Sequence, residues 1–217
     1  MADPAPATEN NEARRIQMLR AAAELVCERG FSETRISDVA KRAGVSSALV
    51  IYYFGTRDRL LVDALRYSEE SFYEAAERML AEIPSVHERL SLLTQWTCVP
   101  GPDVAGPAAP GTHNEIPGAW GLWFDLWAQA FRHDEVRAGR VELDARWRRM
   151  IVDAVESADL DVDARMFALE FSALLDGLSI QVALEDPEVD SKVAYDIAMR
   201  FAERELNLPA DRKRARA

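Results

Sequence analysis

The sequence has little of what secreted, zinc-binding or membrane proteins use. Its 217 residues contain two cysteines, Cys27 and Cys98, far apart and without C-x-x-C spacing, so neither a disulfide framework nor a structural zinc site is indicated. No uninterrupted apolar run approaches the roughly 18 residues needed to cross a bilayer. The acidic start MADPAPATENNE lacks the basic and apolar regions of a signal peptide. We therefore expect a cytoplasmic protein with no membrane contact.

Histidine is also scarce. His87, His113 and His133 are scattered, and neither an H-x-x-x-H pair nor a glycine-rich phosphate loop is present. His133 precedes Asp134 and Glu135, but sequence neighbours on a helix point apart, so this group predicts solvated surface rather than a metal site. We expect no enzyme activity, no cofactor and no metal.

The net charge of −11 is unevenly distributed. Residues 1–65 hold nine basic and nine acidic residues, whereas the remainder holds 17 basic and 28 acidic. Within residues 14–59 there are nine basic and five acidic residues. A mildly basic N-terminal segment therefore precedes a strongly acidic one, which permits nucleic-acid contact at one end only.

Glycine and proline are sparse over most of the chain, and apolar residues recur at intervals of three and four, which predicts an all-α protein. We expect a disordered tail at 1–11, a helix-turn-helix domain at 12–60, a helical ligand-binding and dimerisation domain at 61–208, and a basic tail at 209–217. The alternating prolines and glycines of 99–118 predict a flexible loop. Helices are predicted near 12–29, 34–43, 46–54, 56–81, 85–99, 119–132, 136–157, 162–185 and 187–205, with Thr34, Ser46 and Thr56 as N-caps.

The most informative stretch is GVSSALVIYYFGTRDRLL, residues 44–61. Two short helices joined by A-G-V-S have the dimensions of a helix-turn-helix, in which Gly44 supplies a positive φ at the turn. A small core is predicted beneath the second helix, formed by Phe31, Val39, Ala40, Val45, Val50 and Phe54. Ser47, Ala48, Tyr52 and Tyr53 then fall on the opposite side, where a DNA major groove could receive them.

Residues 30–61, GFSETRISDVAKRAGVSSALVIYYFGTRDRLL, resemble the DNA-binding domain of TetR-family transcriptional regulators in the order and spacing of their motifs. The segment from Trp120 onward resembles the choline-responsive branch of that family, through its W…W…AF pattern and LLDGLSIQ. Three positions depart from the family pattern: Ile51 replaces a phosphate-contacting tyrosine, Tyr53 replaces a histidine, and Arg57 replaces a lysine.

The resemblance implies a set of DNA contacts. Phosphate contacts would come from Thr34, Arg35, Tyr52, Tyr53 and Arg57, and base contacts from Ser37, Ser47 and Ala48. Ser46 belongs to the same surface, with N-capping as its main role. The alternative for both tyrosines is interior packing.

The resemblance also implies a homodimer that binds a double-stranded DNA operator. It places the dimer contact on helices near 141–157 and 162–185. The second has two apolar faces, one with Phe167, Phe171, Leu174 and Leu178, the other with Met166, Leu169, Ala173 and Ile180. We assign the first face to the dimer. Full burial within one protomer is the alternative.

Tryptophan is concentrated around a predicted effector pocket. Its residues are Trp96, Trp120, Phe124, Trp127, Trp147 and Asp176, which suit a cationic or aromatic small molecule through cation–π contact. Ordinary core packing is the alternative role for these aromatic residues. Together these features predict a sequence-specific repressor released from its operator by a small molecule. The rival is a helical protein–protein adaptor that keeps the fold without binding DNA.

Overall fold

The computed structural model describes residues 5–98, 124 and 127–209, and throughout these residues the regular structure is helical. The predicted loop at 99–118, most of the predicted helix at 119–132, and residues 210–217 of the basic tail lie outside the described residues. The helices are α1 (Ala5–Arg29), α2 (Ile36–Arg42), α3 (Ser47–Phe54), α4 (Arg57–Ala81), α5 (Val86–Cys98), α6 (Asp134–Glu156), α7 (Ala164–Ala183) and α8 (Ser191–Glu205). The all-α prediction is confirmed.

Capping residues set most of the helix boundaries. Gly30 follows α1 with φ of 83°, the left-handed conformation that glycine adopts at helix ends. The Ser46 hydroxyl accepts from the Leu49 amide at 3.2 Å, and the Thr56 hydroxyl accepts from the Arg59 amide at 3.2 Å. The predicted caps of α3 and α4 are therefore confirmed.

Two predictions about helix starts are wrong. The first helix begins at Ala5, so the tail predicted for residues 1–11 is wrong for residues 5–11; Pro6 falls in the first turn, where a missing amide costs little. Thr34 does not cap α2, because Arg35 holds the N-cap position without a side-chain hydrogen bond. The Thr34 hydroxyl instead donates to the Gly30 carbonyl at 2.9 Å.

The chain divides into two compact units, with the division falling within α4 and within α6. We call residues 1–72 and 111–143 the head, and residues 73–110 and 144–217 the body. The head's core includes the predicted cluster: Val39 and Val50 are fully buried, and Phe31 and Phe54 nearly so. Residues of α1, α2, α3 and the first turns of α4 supply most of this core.

The core of the body forms where α5, α7 and α8 pack together. Phe167 and Phe171 stack with ring centroids 5.3 Å apart, and Phe201 of α8 stacks on both, at 5.9 and 6.2 Å. Asp163 and Asp190 cap α7 and α8 through their carboxylates. Two side-chain hydrogen bonds join α5 to α8. The Ser91 and Tyr195 hydroxyls lie 2.6 Å apart, and His87 Nε2 lies 3.0 Å from a Glu203 carboxylate oxygen.

Among the described helices, α7 alone is long and apolar enough by composition to cross a membrane, with a mean hydropathy of 1.4 over its best window. Its Phe167, Phe171 and Leu175 side chains are buried in the body's core. The composition of α7 therefore fits a core helix, since the buried helices of globular proteins meet the same criterion.

Candidate DNA-binding surface, dimer face and effector residues

Helix α3, the second helix of the helix-turn-helix and the candidate recognition helix, has one face buried in the head's core. Gly44 has φ of 64°, which lets the chain turn between α2 and α3, and a side chain there would be strained despite open space around it. Val50 and Phe54 point into the head's core, with 0% and 3% of their surface exposed. The side chains on the other face of α3 are thereby fixed in direction.

That other face is exposed. Tyr52 is 82% exposed, a large value for an aromatic side chain, and Ser47 and Ala48 are exposed beside it. Arg35 and Ser37, at the start of α2, are exposed as well. These five predicted DNA-contact residues therefore lie at the protein surface. Sequence reasoning did not include Ile51, which is 49% exposed on the same helix.

Tyr53 has a different environment from Tyr52. It is half-buried, and its hydroxyl lies 3.1 Å from the Asn11 Oδ1, to which it donates. Its ring lies edge-on to Tyr52, with centroids 5.6 Å apart. Tyr53 thus connects the end of α3 to the first turns of α1. Sequence reasoning missed Asn11, because the prediction treated that segment as a tail.

Two predicted phosphate contacts are corrected by the structure. Thr34 has no exposed surface, so its hydroxyl is unavailable to DNA. Arg57 turns toward the protein: its Nε donates to the Thr34 carbonyl at 2.7 Å, and its guanidinium lies over the Phe31 ring at 5.2 Å. Both residues therefore stabilise the connection between α1 and α2 in this conformation.

Ion pairs neutralise part of the basic surplus that residues 14–59 carry. Arg42 forms a two-pronged pair with Glu28, at 2.6 and 2.7 Å, and this contact lowers the pKa of Glu28 and raises that of Arg42. Arg29 pairs with Asp38 at 3.5 Å. Exposed Arg35 has no acidic partner among the described residues, which leaves its charge available to a phosphate.

The assignment of the dimer face is corrected. Phe167, Phe171 and Leu178 are buried within the protomer, and Leu174 is half-buried. The opposite face of α7 is the exposed one. Its apolar side chains are Met166 at 52%, Leu169 at 51% and Ile180 at 38%, with Ala173 between them. The face that we assigned to the protomer's own core is therefore the one available to a partner.

The predicted effector residues fall in both units. In the head, Phe124 and Trp127 meet edge to face, with centroids 5.9 Å apart, and the buried Arg140 guanidinium lies 5.8 Å from the Trp127 ring centroid. In the body, Trp96 is buried, while Trp147 and Asp176 are half-buried. Trp120 lies outside the described residues. The pocket thus stays a prediction.

Two sequence models match this chain. Residues 18–64 match the model of bacterial regulatory proteins of the TetR family, and residues 110–207 match that of the C-terminal domain of BetI-type transcriptional repressors. The first match contains the turn and recognition helix described above, and together the two span about two thirds of the chain. This chain belongs to the TetR family. It is accordingly a DNA-binding, ligand-responsive transcriptional regulator.

Relatives agree over nearly the whole length of this TetR-family chain. The regulator BetI of Rhizobium meliloti is 24% identical over 92% of this chain and 93% of its own length. The BetI of Yersinia pestis is 27% identical over 90% of this chain and 93% of its own length.

A solved structure shows the same fold. A transcriptional regulator from Saccharomonospora viridis, in complex with choline, superposes with a TM-score of 0.71 at 26% identity, covering 89% of this chain and 96% of its own. A TetR-family regulator from a Rhodococcus species gives a TM-score of 0.68 at 25% identity, covering 90% of this chain and 99% of its own.

The described part of this TetR-family regulator contains both of its thiols, Cys27 and Cys98. No group of three or more His, Cys, Asp or Glu residues there is arranged to hold a metal ion. Burial, with smaller contributions from Glu28 and Glu24, raises the pKa of Cys27 to about 11. Burial, followed by the charge of Asp176, raises the pKa of Cys98 to about 12. Both thiols therefore stay protonated at neutral pH.

Proposed function

We propose that this chain is a cytoplasmic repressor that binds a two-fold operator as a homodimer and releases it when a small cationic molecule binds. The observation that carries the proposal is the 82% exposure of Tyr52 on a helix whose opposite face is buried. A large aromatic side chain held outward in this way is suited to a DNA groove rather than to the protein's own core.

The proposed DNA surface combines two kinds of contact. Arg35 and Tyr52 would bind phosphate oxygens, while Ser37, Ser47 and Ala48 would face base edges. A serine hydroxyl bonds to several bases and alanine contacts only a thymine methyl, so we expect sequence preference to be spread over several positions. Tyr53 would contribute through its bond to Asn11, which fixes α3 against α1.

The proposed dimer face is a stripe along α7 and its C-cap residue, defined by Met166, Leu169, Ala173, Gly177, Ile180 and Leu184. Its members recur every three or four residues, and Leu184 is 76% exposed. A stripe with this spacing on one helix is typical of a helix–helix interface. Two-fold pairing would place two recognition helices about 34–36 Å apart, or at a multiple of that spacing, to match successive turns of DNA.

Gly177 supports this dimer face. A glycine inside a helix costs about 1 kcal/mol relative to alanine. Nothing among the residues that the structure describes explains it, because a Cβ added at Gly177 would meet none of their atoms within 4 Å. A partner backbone crossing closely at this point would explain it. We expect Gly177→Leu to weaken the dimer while leaving the helical content unchanged.

The proposed effector is a quaternary ammonium or similar organic cation. Support comes from the BetI-type match over residues 110–207 and from the relative bound to choline. Support also comes from Trp127, whose ring already has the cationic Arg140 side chain near its face, as expected for an electron-rich ring. Trp96, Trp147 and Asp176, which belong to the body, stay candidate effector residues of that unit.

The release mechanism needs only a difference in affinity. A cation that binds better to the conformation with misplaced recognition helices shifts the dimer away from the operator, by no more than the ratio of its two affinities. The helix α4 carries residues of both units and begins next to the DNA surface, so we propose it as the element that changes position.

The experiment has two steps. Operator fragments are first selected from random-sequence DNA by the purified protein, and their binding is measured at several salt concentrations. A steep loss of affinity with salt is expected, since phosphate contacts release counterions. Binding that shows neither selection nor salt dependence would support the adaptor function instead.

The second step tests the effector. Choline is added to the protein–operator complex, and its neutral isostere 3,3-dimethylbutanol serves as the matched control. Release by choline but not by the neutral compound is the expected result. Equal release by both would contradict a cation-selective site, and release by neither would remove the quaternary ammonium proposal while leaving DNA binding intact.

A further inference from the structure

Arg57, the first residue of α4, binds the backbone of another segment. Its guanidinium donates to three carbonyl oxygens of the connection between α1 and α2: to Thr34 at 2.7 Å, to Ser32 at 3.0 Å, and to Phe31. The same group lies over the Phe31 ring at 5.2 Å. A terminal nitrogen pairs with Asp58 at 2.7 Å.

This connection contains Gly30 to Arg35, and it leads directly into the proposed DNA surface. Among the described backbone bonds outside the helices, none uses the carbonyls of Phe31, Ser32 or Thr34. Arg57 therefore satisfies acceptors that the backbone leaves open. Arg35 follows the last of them in sequence, and its carbonyl accepts the amides of Asp38 and Val39 at 3.0 and 3.1 Å as the first turn of α2.

We propose that Arg57 is a positioning residue for DNA binding: it fixes the connection between α1 and α2 to the start of α4, and so sets where Arg35 and Ser37 meet the operator. The proposal rests on the DNA surface proposed above. It also implies that a displacement of α4 carries this edge of the surface with it, since three carbonyls of the connection are bonded to the first side chain of that helix.

The donor count of the side chain separates this role from a phosphate contact. A guanidinium has five N–H donors. The bonds to Phe31, Ser32, Thr34 and Asp58 occupy four of them. One donor is left, on the terminal nitrogen that pairs with Asp58, so a two-pronged phosphate contact by the same side chain would have to replace at least one of these bonds. A lysine ammonium has three donors, but they leave a single nitrogen atom in a tetrahedral arrangement and cannot reproduce the planar fork that holds these three carbonyls.

The test is Arg57→Lys in the full-length protein, with Arg59→Lys as the matched control in the same helix turn. Arg59 is exposed, and the contact described for it, its amide with Thr56, uses the backbone. Hydrogen exchange is measured on the free protein, where no phosphate is present. We expect the amides of Asp38 and Val39 to exchange about tenfold faster in Arg57→Lys, which is the effect of losing one charge-assisted bond. Arg59→Lys should leave them unchanged.

Binding to a random-sequence 30-base-pair duplex gives the second measurement. If Arg57 positions the surface, the lysine variant binds more weakly than the wild type although its charge is kept. A direct phosphate contact predicts instead that Arg57→Ala lowers the logarithmic salt slope by about 0.9, that Arg57→Lys restores binding, and that exchange in the free protein does not change. That second pattern would overturn the proposal.

Two further outcomes are decisive. Faster exchange spread equally over α7 and α8 would mean that the variant only lowers global stability, which would also overturn the proposal. Local exchange that rises as expected, in a wild-type protein that binds no duplex, would show that Arg57 orders the connection but that the proposed DNA surface is wrong. The failure of the positioning role and the failure of the proposed function are therefore distinguishable.

Discussion

The head and the body use their exposed side chains differently. In the head, the exposed side chains on α2 and α3 are mainly polar, charged or hydroxyl-bearing, as at Ser47 and Tyr52, with Ala48 and Ile51 as the apolar exceptions. In the body, α7 exposes a stripe of purely apolar side chains, including Met166 and Leu169. The first arrangement fits a charged, hydrated partner such as DNA, and the second fits a protein surface of its own kind. Each exposed surface thus indicates the chemistry of what it binds.

The largest effects are expected from substitutions in the cores of the two units. Phe31→Ala removes a nearly fully buried ring from the head, and a loss of about 3–5 kcal/mol of stability is expected. DNA binding should be lost, while the dimer mass measured by analytical ultracentrifugation stays the same. The matched change, Phe171→Ala, removes a fully buried ring from the body and should affect dimerisation first. Loss of both properties in both variants would mean that the units do not fold independently.

Dimerisation should be almost as sensitive to a substitution in the proposed dimer face. Leu169→Glu places a charge within the proposed stripe, and burying an unpaired charge in an interface costs about 2–5 kcal/mol. We expect monomers in ultracentrifugation with unchanged helical circular dichroism, because the side chain is 51% exposed in the protomer. Phe131→Glu is the control, since Phe131 is 85% exposed in the head. A Leu169→Glu protein that remains dimeric would place the interface elsewhere.

The two tyrosines provide a finer comparison within the head. Tyr52→Ala should weaken operator binding roughly 10- to 100-fold, since a hydrogen bond to a charged acceptor contributes about 1.5–3 kcal/mol. The melting temperature should not change, because the side chain is 82% exposed. Tyr53→Phe removes only the bond to Asn11, and we expect a smaller loss of binding with a small loss of stability. Equal effects in the two variants would contradict their different roles.

The sequence predicted the helix-turn-helix well because its geometry is local. Gly44, the Ser46 cap and the buried Val50 and Phe54 fix α3 within eleven residues, so the outward direction of Tyr52 follows from helical spacing. The roles of Thr34 and Arg57 were not predictable in this way. Both side chains bond to backbone carbonyls of the α1–α2 connection, and Arg57 lies 23 residues along the chain from Thr34. A family pattern records which residue types occur, but not which of several acceptors a long side chain chooses.

The faces of α7 were predictable as two stripes but not in their assignment. Both contain large apolar residues, so spacing alone does not show which one the protomer buries. The structure decides because Phe201 of α8 stacks on Phe167 and Phe171. One signal in the sequence favoured the same answer: the face with Gly177 offers less bulk to the protomer's own core. The pocket could not be assigned, since its residues are distributed over both units.

The smallest expected effect concerns the two thiols, one in each unit. Their raised pKa values, about 11 for Cys27 and about 12 for Cys98, leave little thiolate at pH 8. The thiolate is the reactive form, so labelling by a maleimide should be slow at both and slower at Cys98, which is buried, than at half-buried Cys27. Raising the pH toward 9 or 10 should increase each rate about tenfold per pH unit, because the thiolate fraction of the folded protein rises tenfold per unit below these raised pKa values. Because an unfolded thiol ionises near pH 8.5, the stability that the protonated thiols contribute is fully present below about that pH. It is lost as the pH rises toward the folded pKa values. Denatured protein, in which both thiols label at the same rate, is the control. Labelling of Cys98 at the denatured rate in the folded protein would show that α5 opens readily, and the body would then be the more mobile of the two units.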